Sequence, residues 1–135
     1  MIEYRIVEKE DYDNFFDMVD AQWGLCNVFP DGMPESFTCN FWTVHNGCKF
    51  IGYIGLEYGE DDNEDEVIHF HTAVMPRVPM DVRVLAMRNF QKYAPAGIIG
   101  KMPYRRGMER IMRLYGFSNI KIEDNYITGE FTHGQ

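Results

Sequence analysis

Glu66, His69 and His71 stand within one short run, EVIHFHTAVM, and carry the groups best suited to moving a proton near neutral pH. In an extended strand residues two apart share a face, so His69 and His71 point the same way. Either of them, or Glu66, could serve as a general base toward an amine. Joined by His45 they could also offer imidazoles to a metal, but His-x-His lacks a third ligand at fixed spacing, and no metal is assigned. A hydrogen-bonded structural role is the alternative for both histidines.

The charge is unevenly spread. Most of the 13 basic residues lie between Arg77 and Arg113, a stretch whose acids are Asp81 and Glu109, whereas Glu60, Asp61, Asp62, Glu64, Asp65 and Glu66 crowd into one loop. With a formal net charge of −8, the chain as a whole repels nucleic acid, and no nucleic-acid motif accompanies the basic segment. Three cysteines, Cys26, Cys39 and Cys48, form an odd set without CxxC spacing, as expected of reduced thiols in a cytoplasmic compartment. No apolar run nears the roughly 20 residues that cross a bilayer, and the charged opening MIEYRIVEKEDYD does not read as a signal peptide, so no membrane partner is expected.

Positioning these residues takes a mixed α/β domain. At 135 residues, with 45% hydrophobic and 25% charged content, the chain suits one domain spanning residues 1–135. Residues 3 to 8 alternate as a half-buried strand with Tyr4 and Ile6 on one face. Asp11 then caps a helix carrying Phe15, Met18, Val19 and Trp23. A long loop through Pro30, Asp31, Gly32 and Pro34, with room for a short helix, leads to strands over 37 to 45 and 48 to 58 joined at Asn46-Gly47. Residues 67 to 75 form a central strand that ends at Pro76 and Pro79. A helix follows over 81 to 93, with Val82, Leu85, Ala86, Phe90 and Tyr93 on its apolar face and Arg83, Arg88 and Lys92 off it. Residues 96 to 102 make a strand and 104 to 115 a helix bearing Met108, Ile111, Met112 and Tyr115 on one face, stopped by Gly116. The tail closes as a hairpin across Asp124-Asn125.

This order resembles the GNAT (Gcn5-related N-acetyltransferase) superfamily. The segment MERIMRLYGF, residues 108 to 117, looks like that family's fourth helix ending at Gly-Phe before the sixth strand. The opening IEYRIVEKEDYDNFF and the segment FWTVHNGCKFIGYIGLEY are similar to its first elements and to its second and third strands. The resemblance implies a central mixed twisted sheet of about six to seven strands flanked by helices. It also implies acetyl-CoA as acyl donor, an amine acceptor, a strand-borne general base and a general-acid tyrosine. Dimers that pair through the edge of the C-terminal hairpin are a further implication.

Aligning Val74 and Pro76 with the family's Val-x-Pro assigns the cofactor-binding positions to Val74, Met80, Asp81, Val82, Arg83 and Val84. Pro79, Met80, Val82 and Val84 then replace the family's Arg or Gln and its glycines, whose role is to let pyrophosphate approach backbone amides. Side chains there crowd that approach, while Arg77, Arg83 and Lys101 could offset it by charge. The place of the acid tyrosine is Met112, with Tyr115 the nearby substitute or a core residue. Two readings follow from the same fold. One is an N-acetyltransferase using Glu66 or a histidine as base. The other is a catalytically silent protein similar to GNAT-like proteins of tailed bacteriophages, HFHTAVMP and IIGKMP carrying that likeness, with virion head assembly or DNA ejection as its role and phage structural proteins as its partners, in the host cytoplasm or the virion.

Overall fold

The computed structural model describes residues 1–29, 32–35, 38–60, 62–95 and 97–131. Among the described residues seven strands form one mixed sheet in the order β1-β2-β3-β4-β5-β7-β6, and helices flank it. By density of contacts the residues group into two compact units, the first comprising 1–58 and 71–78, the second 59–70 and 79–135. Strand β4 (Glu66–Val74) contributes its first half to the second unit and its second half to the first.

In the first unit, β1 (Ile2–Ile6), β2 (Cys39–Asn46) and β3 (Lys49–Glu60) form an antiparallel ladder. A single 3₁₀ turn, Lys9–Asp11, leads into α1 (Tyr12–Trp23), and α2 (Leu25–Val28) follows Gly24. Asp11 occupies the cap position of α1, but its side chain makes no capping bond because the turn before it already holds the entering backbone. Tyr12, Phe15, Phe16 and Val19 lie one helical turn apart and bury together with Phe41 and Tyr53. Their rings meet edge to face, Phe15 to Tyr53 at 5.4 Å and Tyr12 to Phe41 at 5.7 Å between centroids, an arrangement that aromatic quadrupoles favour. Gly55 lies opposite Phe41 on β3, where a Cβ would come within 2.5 Å of that ring.

Several sequence expectations shift by a residue or a face. The hairpin turn is Gly47-Cys48 rather than Asn46-Gly47, because Asn46 pairs with Lys49 and only Gly47 takes a positive φ, as in a type II′ turn. Ile6 is 53% exposed, so the half-buried face of β1 is carried by Ile2 and Tyr4. Of the predicted elements, Pro30, Asp31, Phe37, Asp61 and Ala96 lie outside the described residues.

In the second unit, the first half of β4 runs parallel to β5 (Ile98–Pro103), β5 pairs antiparallel with β7 (Tyr126–Phe131), and β7 with the sheet-edge strand β6 (Ser118–Glu123). The β6–β7 turn is Asp124-Asn125 as expected, with Asp124 at φ 52°. Helix α3 (Met80–Gln91) buries Ala86, Met87, Phe90 and Gln91, whereas Leu85 and Tyr93, expected on that face, are exposed. The buried stripe is turned because polar Gln91 belongs to it, donating to the Tyr115 carbonyl at 2.6 Å.

Helix α4 (Met108–Leu114) starts later than residue 104, after Gly107, whose left-handed φ of 86° cannot continue the preceding turn as helix. It ends in a Schellman motif, with Phe117 N–H bonded to Met112 O and Gly116 N–H to Arg113 O, both at 3.0 Å. That motif delivers Phe117 to the sheet, where its ring stacks on Phe131 at 4.1 Å and meets Phe70 edge to face at 5.8 Å. Gly100 on β5 leaves the room this ring fills, and its cross-strand partner Gly129 on β7 leaves room for the Met112 methyl and the Phe117 Cβ.

Candidate functional site

Of the three proton-transfer candidates, the structure gives a carboxylate partner to one. His71 Nε2 lies 3.0 Å from Glu57 Oε1, on the neighbouring strand β3. Both side chains are partly open, 23% and 34% exposed respectively, so the pair can reach solvent or a substrate without being fully hydrated. The Phe29 ring, just past α2, stands 5.3 Å from the imidazole, centroid to centroid. On the other side of Glu57 its cross-strand neighbour is Cys39, so Cys39, Glu57 and His71 form a row across three adjacent strands.

Cys39 is a buried thiol whose Sγ contacts the Glu35 carbonyl at 3.2 Å. Burial, reinforced by the charge of Glu57, pushes its pKa up to about 11, so it is an uncharged member of the row rather than a nucleophile. Tyr12 donates its hydroxyl to the Cys39 carbonyl at 2.9 Å and fixes this end of the row. A carboxylate accepting from Nε2–H leaves the imidazole lone pair on Nδ1 and favours the imidazolium that forms when it takes a proton. Such an arrangement is able to act as an oriented general base.

The other candidates are placed differently. Glu66 is exposed at the first position of β4, and His69, opposite Ile99 of β5, has no bonded partner among the described residues. His45, the third imidazole of a conceivable metal set, lies 3.0 Å from Thr43 Oγ1, and burial together with Arg5 lowers its pKa. Among the described residues no three His, Cys, Asp or Glu side chains converge as metal ligands would. Tyr115 is buried. Burial raises its pKa against the opposing pull of the Arg83 guanidinium, which bonds its hydroxyl. Arg83 therefore leans onto the buried face of α3 rather than off it.

The predicted cofactor positions divide in the same way. Val74 ends β4, and its carbonyl accepts the Trp23 indole N–H at 3.2 Å. Met80, Asp81, Val82, Arg83 and Val84 form the opening turn of α3, which follows Pro79 with no side-chain cap. Such a turn presents unbonded amides to an anion. One is already used, since Val82 N–H donates to Asp81 Oδ1 at 2.9 Å. The Asp81 carboxylate thus occupies part of the place where an anion would sit, leaving the Met80 and Asp81 amides as the remaining donors of the first turn. Lys101, a candidate compensating charge, lies over the Tyr126 ring at 4.5 Å.

No known family and no curated protein matches the chain by sequence. Solved structures do match it by fold. The acetyltransferase of GNAT family from Streptococcus pneumoniae superposes with a TM-score of 0.61 over 96% of this chain and 99% of that one, at 11% identity. The Campylobacter jejuni N-acetyltransferase PseH, in complex with acetyl coenzyme A, gives 0.55 over 98% and 99%, at 9% identity. The chain has the GNAT acetyltransferase fold. An aminoglycoside N(6')-acetyltransferase from Legionella pneumophila shares it at 0.59, with 97% and 91% covered and 12% identity. Within the GNAT fold the chain holds the His71–Glu57 pair on strands β3 and β4, and Met80, Asp81 and Val82 at the start of α3.

Glu57 escaped the sequence reading. The available signal was its position as an ionisable residue just beyond the buried run Ile51–Leu56, on the strand beside His71.

Proposed function

We propose that the protein is an acyl-CoA-dependent N-acyltransferase acting on an amine, with His71 as general base and Glu57 as its positioning residue. The observation carrying this reading is the 3.0 Å His71–Glu57 bond in a partly open setting, on a fold shared with N-acetyltransferases. Acyl-CoA supplies the thioester carbonyl. His71 Nδ1 takes the proton that the amine nitrogen must lose as its bond to the acyl carbon forms and the carbon–sulfur bond breaks, the proton finally going to the thiolate or solvent. Glu57 holds the imidazole in the tautomer that can accept and stabilises its charged form. The first turn of α3 separately offers the Met80 and Asp81 amides to an anionic donor, with the Asp81 carboxylate as a competitor.

The Asp81–Val82 bond also favours a second reading, a GNAT-fold protein without catalysis; the likeness of HFHTAVMP and IIGKMP to phage proteins would give it a role in virion assembly or DNA ejection. Calorimetric titration with acetyl-CoA separates the two. Saturable heat at high-micromolar to millimolar ligand supports the transferase. No heat at millimolar ligand, in the wild type and in Asp81→Ala alike, supports the silent protein.

A further inference from the structure

Between α3 and α4, on the second unit, lies a shallow groove of about 320 Å³ lined by Arg88, Glu109, Arg110, Arg113 and Leu114. Every cation lining it is an arginine. Glu109 is engaged by Arg113 one turn along α4, at 2.8 Å. That leaves Arg88 and Arg110 without a compensating carboxylate in the groove. Arg88 is held in place, since its Nε donates to the Leu114 carbonyl at 3.0 Å, while its terminal amino groups keep their donors. Arg110 is exposed and makes no hydrogen bond or ion pair among the described residues. Arg110 and Arg113 stand three residues apart on α4, where like charges repel and an anion between them relieves the repulsion.

We propose that this groove binds a small phosphorylated ligand. Planar guanidinium forks match the paired oxygens of a phosphate, which a set made wholly of arginines exploits better than lysines would. Half-exposed Leu114 offers an apolar edge for the rest of the ligand. The volume sits at the lower end of the ~300–1,000 Å³ range of small-molecule sites. A net charge of −8 opposes a long polyanion and so disfavours nucleic acid.

Inorganic pyrophosphate is the probe, titrated by calorimetry at constant ionic strength. Saturable binding is expected, weakened about tenfold or more in Arg110→Glu and in Arg88→Gln. Arg105→Glu makes the same charge change as Arg110→Glu outside the groove and should leave the affinity within about twofold. Binding that ignores Arg110→Glu, that falls equally in Arg105→Glu, or that sulfate and chloride reproduce in proportion to ionic strength overturns the proposal. So does the pair of results in which duplex DNA binds and pyrophosphate does not.

Discussion

Cys39 is wedged between the aromatic cluster of α1 and the Glu57 carboxylate, and its thiol can ionise there only against burial and a like charge. In the unfolded chain the same thiol loses its proton near pH 9. A group whose folded pKa is raised contributes stability below its unfolded value and loses that contribution as pH rises through the folded one. Stability should therefore decline between about pH 9 and about pH 11, and Cys39→Ala should flatten this limb in urea unfolding at stepped pH. An unchanged slope in the variant would assign the loss elsewhere, with Tyr12, whose pKa rises to about 12, next in line. Tyr53 makes the opposite case. Its hydroxyl is buried and has no hydrogen-bond partner among the described residues. Removing an unpaired buried polar group relieves its desolvation, so Tyr53→Phe should leave stability within about 0.5 kcal/mol or raise it. A loss above about 1 kcal/mol would point to a hidden partner such as a buried water.

The elements show why the sequence was readable in some places and not others. The β6–β7 hairpin and the Gly116 stop were legible because turn and capping chemistry is local, set by residues adjacent in sequence. The buried face of α3 was not, because its orientation depends on Gln91 finding the Tyr115 carbonyl 24 residues away. Glu57 went unread for the same reason, since its pairing with His71 arises from strand adjacency across a 14-residue separation. Two predictions belong at this scale. Gly100→Ala places a methyl 2.7 Å from the Phe117 ring and should cost about 1–3 kcal/mol in denaturant unfolding, whereas full stability would mean that β5 and β7 yield freely. Asp81→Ala removes a carboxylate from the first turn of α3. It should lower stability by about 0.3–1 kcal/mol while tightening acetyl-CoA several-fold, and weaker acetyl-CoA binding in the variant would exclude Asp81 as a competing anion.

For the whole molecule, fold and function are separable conclusions. Structures that align over nearly the full chain at about a tenth identity establish the sheet order and helix placement, while activity rests on particular side chains. No described helix is long and apolar enough to cross a membrane. The charge map has two poles, an acidic β3–β4 turn with exposed Asp62 and Glu64 and the arginine groove of α3 and α4. The first is suited to drawing a cationic amine, and the second is the proposed anion site. The most direct test of the transferase reading is release of free thiol from acetyl-CoA, followed across a panel of primary amines with wild type, His71→Ala and Glu57→Gln. Amine-dependent release should fall about 10²-fold or more in His71→Ala and less in Glu57→Gln, with the pH midpoint of the activity moving in Glu57→Gln. Amine-independent release, or release equal in wild type and His71→Ala, would contradict it.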